Sequence, residues 1–389
     1  MAAIRRLLAH EAAGGVVMMA AALVAVALAN SPGKAWLDAV LGAELAITLN
    51  GVGLSKHVLL WINDGLMAVF FFRVALELKY ELREGRLRRM SDVMLPGMAA
   101  LGGMAMPALV YLAVVALAAA PGLRAGWAIP CATDIAFALG VLALAGKGLP
   151  PALKTFLLTL AILDDLGAIL IIALFYGHDL NLAWLVAALV PLAGLVALNL
   201  ARVHRMGPSI LLGLVLWVMV LESGIHATIA GVVTAFCIPL RDRKGGSPLH
   251  RLDHMLAPYV TFLIVPLFAL ANAGLVLPGP AALAQPLSLA IGTGLVLGKP
   301  LGVMLAVVVL TRMGLARMPE GASLRQMLAL ACLAGIGFTM SLFIGGLSFG
   351  DGAEMNAVRI GVLAGSVLSA LAGYALLWRT AGQGAQRRL

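Results

Sequence analysis

The segment Phe156–Tyr176 reads FLLTLAILDDLGAILIIALFY, and it constrains the chain more than any other stretch. About 20 apolar residues carry an α-helix across the hydrocarbon core of a bilayer. This segment is long enough, yet it holds two neighbouring carboxylates, Asp164 and Asp165, near its middle. A charge at that depth costs at least ~2.5–3.5 kcal/mol on insertion scales. Two of them side by side point to function rather than to packing. Neighbours on a helix project about 100° apart, so the two carboxylates can address different partners around one cavity.

The remainder of the chain fits the same setting. Of its 389 residues 62% are hydrophobic and only 12% charged, in long apolar runs separated by short polar breaks. That composition predicts an all-α polytopic membrane protein, a single integral membrane domain over residues 1–389 with little outside the bilayer. A net charge of +9 would suit nucleic acid, but the basic residues sit in short loops between apolar runs, which is the positive-inside pattern. Cys131, Cys237 and Cys332 all lie within apolar segments and form no CxxC pair, so they read as small buried residues rather than a disulfide framework. The N-terminal MAAIRRLLAHEAAGG reads as a short cytoplasmic helix entering the first span.

Twelve spans are expected. The first six are Ala12–Ala29, Val58–Leu78, Val93–Ala119, Ala128–Ala145, Thr155–Tyr176 and Leu182–Leu200. The others are Pro208–Val220, Gly224–Ile238, Leu256–Leu277, Pro286–Leu310, Met327–Leu347 and Asn356–Trp378. With the N-terminus placed in the cytoplasm, 21 of the 27 basic residues fall on the cytoplasmic side. Only Lys34, Lys56, Arg124 and Arg359 fall outside, while Arg73 and Lys299 lie within spans. That imbalance orients the chain with both termini cytoplasmic.

Three stretches depart from plain spans. Residues 44–57, ELAITLNGVGLSKH, alternate around Asn50-Gly51 and predict an extramembrane β-hairpin. An isolated hairpin is marginal in water, so a second copy of itself is its expected partner. The fourth span carries Pro130 before Thr133 and Asp134, and the eleventh carries Gly335 and Gly337. Non-helical backbone at membrane depth survives only where protein or a cavity surrounds it. Interruptions at corresponding places in two halves point to a transporter's binding site. The fourth span is central in spans three to five and the eleventh in spans ten to twelve, so the two triplets run in opposite directions as inverted repeats.

The core intramembrane ionisable set is Asp134, Asp164, Asp165 and Lys299, with the hydroxyl of Thr133 beside it. Carboxylate, hydroxyl and carbonyl oxygens suit hard cations, and the absence of a Cys/His cluster speaks against zinc or copper. A carboxylate withdrawn from water beside a like charge holds its proton toward neutral pH. A cation and a proton then compete for one site, which is enough for antiport. Lys299 is expected to pair with Asp164 or Asp165. Elsewhere, Arg73 and Glu77 stand at the i, i+4 spacing of an ion pair, and Glu222 and His226 share a helix face at the same spacing. Asp64 reads as a structural polar contact.

At this point the residues resemble a known family. ATDIAFALGVLAL, LAILDDLGAI, LESGIHATIAG, PLFALANAG and GIGFTMSLFIGGL are similar to the NhaA-type sodium/proton antiporters of bacterial inner membranes. The resemblance runs from WINDG to the last span. It implies inverted-topology repeats with two crossed, discontinuous helices, for which this family is a known example. It implies exchange of Na+ or Li+ for H+, electrogenic and activated at alkaline pH, in the service of pH and Na+ homeostasis. No cofactor and no enzymatic activity are implied, and the hairpin would join a homodimer. Carried over by motif, Asp164 and Asp165 bind the cation or the protons. Asp134 and Lys299 compensate the partial charges where helix ends meet. Lys299 pairs with Asp164, and Thr133 lines the site. The cytoplasmic pH response maps to Glu77, Glu81, Asp253 and His254, although Asp253 and His254 on their own read as a solvated loop.

The chain departs from the family pattern near that cluster. A stretch usually like VGLEIKRE reads RVALELKYE here, with Arg73 intruding, Ala75 for glycine and Tyr80 for arginine, and Ala257 replaces a histidine of some relatives. Two other classes are weaker. An intramembrane aspartyl protease needs one carboxylate from each of two helices, not an adjacent pair. A passive cation channel needs carboxylate rings about a symmetric pore.

Overall fold

A computed structural model describes residues 13–386 apart from 50, 51, 89, 146–148, 178, 179, 204, 244, 278, 279 and 351. The expected N-terminal helix before residue 13 and the Asn50-Gly51 turn lie outside the described residues. Among the described residues, seven helices are long and apolar enough to cross a membrane, or up to ten if each of three bent pairs is one span. The chain is therefore an all-α polytopic membrane protein. Its helices are apolar on their outer faces as well: Leu174 is 76% exposed and Leu200 80%. A helix hydrophobic all round belongs in a core or a membrane.

Contacts within the chain gather into two compact units. The first takes residues from Met1–Val26, Arg89–Ala168 and Asn272–Leu389. It contains most of α1 (Ala13–Ala29), α4 (Met90–Leu117), a 3-10 segment (Pro121–Cys131) and α5 (Ile135–Ala145). It also holds the part of α6 (Pro151–Phe175) that carries the two carboxylates. α11 (Pro286–Arg312), α12 (Leu324–Ala334), α13 (Phe338–Phe349) and α14 (Glu354–Gln386) complete it. α14 packs against α11 and α12, and the 3-10 segment against α4 and α13.

α4 and α11 touch backbone to backbone. A Cβ added at Gly102 would stand 2.5 Å from the carbonyl oxygen of Gly302, and one at Gly302 would stand 2.0 Å from that of Gly102. Small residues let membrane helices approach this closely. Lys299 lies one turn before Gly302, so the same crossing presses the lysine stem against α4. Two of the bent pairs are in this unit: the 3-10 segment and α5 bend by 50°, α12 and α13 by 42°. The helical segment that contains the fourth expected span begins before Ala128, at Pro121, whose fixed φ and missing N–H suit the first turn of a helix.

The second unit takes Ala27–Arg88 and Ile169–Ala271. α2 (Gly33–Gly42) leads into strands β1 (Glu44–Leu49) and β2 (Val52–His57), which pair antiparallel from Glu44↔His57 to Leu49↔Val52. The indole Nε1 of Trp61 donates to Leu45 O at 2.9 Å and ties β1 to α3 (Val58–Arg83). α7 (Leu182–Leu200), α8 (Gly207–Glu222), α9 (Thr228–Cys237) and α10 (Pro248–Asn272) follow. Glu222 and His226 do not share a helix face, contrary to expectation. Gly224 takes φ +80°, ends the helix run and turns the chain, so His226 Nδ1 meets Thr228 Oγ1 at 3.0 Å and Nε2 stands 3.9 Å from Asp64 Oδ1. The Arg73–Glu77 pair is present, with Nη2 to Oε2 at 3.6 Å.

Gly302→Ala is expected to lower the thermal midpoint in detergent, by roughly 1–3 kcal/mol of overpacking. Gly346→Ala in α13 should leave it unchanged, since a Cβ there meets nothing within 4 Å.

Candidate functional site

The site forms where the two bent pairs of the first unit meet α6 and α11. The 3-10 segment ends at Cys131 and α5 begins at Ile135, leaving Ala132–Asp134 without helical bonding. α12 ends at Ala334 and α13 begins at Phe338. The two gaps bond to each other: Asp134 N donates to Ile336 O at 2.6 Å. Four helix ends with unsatisfied backbone groups therefore face one buried point.

Asp134 serves two of those ends. Its Oδ1 accepts from Phe137 N at 3.0 Å, as a cap on its own helix. Its Oδ2 accepts from Thr339 N at 3.1 Å and Thr339 Oγ1 at 2.5 Å, in the first turn of α13. A carboxylate at two helix N-termini is held by donors that carry positive partial charge. The backbone of α13's start is also bonded by Ser366 Oγ, which accepts from Gly337 N at 3.2 Å and Phe338 N at 3.1 Å. Ser341 Oγ donates to Ile129 O at 2.7 Å.

Asp164 and Lys299 form a fully buried ion pair, Nζ to Oδ2 at 2.6 Å. Lys299 Nζ also donates to Cys131 O, the carbonyl at the end of the 3-10 segment. A cation on the carbonyl end of a helix is the complement of Asp134 on the amide ends. Thr133 Oγ1 lies 2.6 Å from Asp164 Oδ2 and 2.8 Å from Ala334 O. A hydroxyl has one proton, so it serves one of these acceptors at a time. Asp164 Oδ1 takes no hydrogen bond among the described residues. Asp165, on the next position of α6, is 1% exposed. The oxygens of Asp164, Thr133, Cys131 and Ala334 make a hard set of the kind that takes alkali and alkaline-earth cations. Among the described residues no three His, Cys, Asp or Glu gather as a metal-holding group.

The structure thus brings Thr133, Asp134, Asp164, Asp165 and Lys299 into one unit, and of the two pairings left open for the lysine it makes the one with Asp164. It places Glu77, Glu81, Asp253 and His254 in the other unit. Asp253 and His254 are helical, within Pro248–Tyr259, and not in a solvated loop. Ser247 caps that helix by accepting from His250 N at 3.2 Å, and Arg73 Nε reaches Asp253 Oδ1 at 3.1 Å. Thr339, Ser341, Ser366 and the carbonyl of Cys131 escaped the sequence reading.

Residues 5–377 match the family model described as Na+/H+ antiporter 1. The chain is 50% identical over 376 residues to the Na(+)/H(+) antiporter NhaA of Shewanella sp. (strain ANA-3), covering 96% of each. It is 47% identical over 380 residues to the protein of the same name from Actinobacillus pleuropneumoniae serotype 7 (strain AP76), again covering 96% of each. To that of Escherichia coli O1:K1 / APEC it is 50% identical over 379 residues, covering 96% of this chain and 97% of the relative.

Thr339→Val removes the hydroxyl donor to Asp134 and leaves a buried carboxylate oxygen short of one bond. The expected cost is about 1–3 kcal/mol, read as a lower thermal midpoint in detergent. Thr339→Ser should restore it.

Proposed function

The chain belongs to the Na+/H+ antiporter 1 family, and from that premise we propose that it exports Na+ or Li+ in exchange for protons. The observation that carries the proposal is the buried Lys299–Asp164 pair, 2.6 Å apart, with a second carboxylate beside it and two helix breaks around it. Lys299 is an internal cation on the oxygen that a transported cation would use. An arriving Na+ displaces the ammonium from Asp164 Oδ2 and draws in Asp165, Thr133 and freed backbone carbonyls. Protons leave the site as it binds, and return as it is released on the other side. More protons move than cations, so the exchange is electrogenic. Asp134 and Lys299 keep the facing helix ends compensated through the cycle.

Two shorter apolar helices, α8 and α9, bring the ten candidate spans to twelve. The two bent pairs in the first unit are the discontinuous crossing helices of inverted repeats. The 21-to-4 distribution of loop charge supports cytoplasmic termini in a bacterial inner membrane, with residues 1–389 as one transporter domain. The β1–β2 hairpin joins a homodimer. Glu77, Glu81, Asp253 and His254 adjust activity to alkaline pH, so that the protein serves pH and Na+ homeostasis. A protease is disfavoured because both oxygens of Asp134 are engaged at helix N-termini and share no proton with Asp164.

Asp164→Asn and Asp165→Asn are each expected to abolish Na+-driven proton movement in everted vesicles carrying a pH dye. Near-normal exchange in either variant would sink the assignment. The two differ in stability. Asp164→Asn strands a buried ammonium, at a cost of roughly 3–5 kcal/mol, whereas Asp164→Asn/Lys299→Gln should recover the thermal midpoint without recovering transport.

Deleting Leu49–Lys56 is expected to weaken the dimer in native mass analysis and to leave exchange in the monomer. An unchanged dimer would remove the hairpin from the interface.

A further inference from the structure

The cluster read as pH-responsive contains a cation that the family pattern lacks. Arg73 sits on α3 one turn before Glu77. Its Nε lies 3.1 Å from Asp253 Oδ1 on α10, and its Nη2 lies 3.6 Å from Glu77 Oε2. One guanidinium therefore bridges carboxylates on two helices of the same unit. The three side chains are 23%, 33% and 21% exposed for Arg73, Glu77 and Asp253, so solvent screens them only in part.

The surrounding charges are accounted for. Glu81 lies one turn beyond Glu77 and acts on it electrostatically, as do Arg73 and Asp253. On α10, His250 packs edge-on against Tyr80 at 4.4 Å, and His254 stacks on His250 at 6.2 Å. α9, the other helix packed along α3, has no ionisable residue but Cys237. Lys79 turns to the carbonyls of Phe236 and Ile238, at 2.8 and 2.5 Å. Glu84 is held by Arg241 at 2.7 Å and Asp242 by Arg251 at 3.3 Å. Arg83 is exposed, and Arg86 and Arg88 follow in the short 3-10 turn against the end of α3. Among these groups, Arg73 is the cation that links Glu77 to Asp253.

We propose that Arg73 sets the pH at which this antiporter turns on, by fixing a permanent positive charge between Glu77 and Asp253. The proposal rests on reading that cluster as pH-responsive. An arginine keeps its charge throughout the working range. A positive charge within about 4–6 Å favours the ionised form of a carboxylate. The guanidinium therefore favours the ionised cluster over what an apolar side chain in its place would allow. If ionisation of the cluster activates exchange, Arg73 moves activation toward neutral pH. The same guanidinium ties α3 to α10, so the charge acts on a contact between two helices.

The test is a pH scan of exchange at saturating Na+ in everted vesicles, with thermal midpoints measured in detergent. Removing the charge takes away the attraction that favours the ionised cluster. Arg73→Met is expected to shift half-activation alkaline by about half to one pH unit, a range reduced for partial exposure. Arg73→Lys keeps a charge there and should hold the original profile, though it loses the fork that spans both carboxylates. Arg73→Gln also removes the charge but keeps a polar side chain, and it tests the same shift in case the methionine variant does not fold. Glu77→Gln and Asp253→Asn serve as references. If they move the profile while Arg73→Met and Arg73→Gln leave it in place, the role of Arg73 is overturned and the cluster reading stands. If the references leave the profile in place as well, both fall. A lowered thermal midpoint without a pH shift would make Arg73 a structural tie only, and would also overturn the proposal.

Discussion

A lysine and an aspartate with no exposure to solvent are the constraint on which the first unit depends. Taking two charges out of water costs several kcal/mol per ion, and the attraction between them offsets this only with good geometry and further hydrogen bonds. Lys299 and Asp164 have both: a 2.6 Å contact, the carbonyl of Cys131 on the ammonium, and the hydroxyl of Thr133 on the carboxylate. Those extra partners exist only because the helices are broken there. An intact helix would have used the Cys131 carbonyl within its own ladder. The helix breaks and the buried charges therefore explain each other, and neither would be stable alone.

The same logic assigns the two ends of the broken helices to opposite charges. Helix N-termini point amides at Asp134, and the carbonyl end of the 3-10 segment points at Lys299. The close contact of Gly102 with Gly302 is the packing counterpart. A side chain at Gly302 would push α11 away from α4, and Lys299 lies one turn from that crossing. Packing at two glycines is thus coupled to the reach of a lysine, which is why a methyl group there is expected to register as lost stability.

Some of this was legible in the sequence and some was not. Asp164, Asp165 and Lys299 stand out because a charge in an apolar run has no local partner to explain it. Pro130 and the Gly335/Gly337 pair mark the breaks because they act on the backbone directly. Thr339, Ser341 and Ser366 do not stand out. A hydroxyl in an apolar helix commonly bonds back to its own preceding turn, as Thr234 does to Ala230 O and Thr311 to Val307 O, both at 2.7 Å. Nothing in the residue type says which hydroxyls leave their own helix. Spacing misled at Glu222 and His226, where Gly224 breaks the helix that the i, i+4 rule assumes. Composition misled at Asp253 and His254, whose polar surroundings hide a capped helix.

On the proposed assignment of the site, its geometry suits exchange rather than tight binding. Asp164 Oδ2 is approached at 2.6 Å by both the ammonium of Lys299 and the hydroxyl of Thr133. That hydroxyl is 2.8 Å from Ala334 O as well, so it can turn its proton away when a cation takes its place on the carboxylate. If Asp164 is the cation's ligand, as proposed, the cation replaces partners that Oδ2 already has and adds a contact at Oδ1, which takes no hydrogen bond among the described residues. On its release the lysine and the threonine remain to take its place on Oδ2, as a cycle that must run through both states requires.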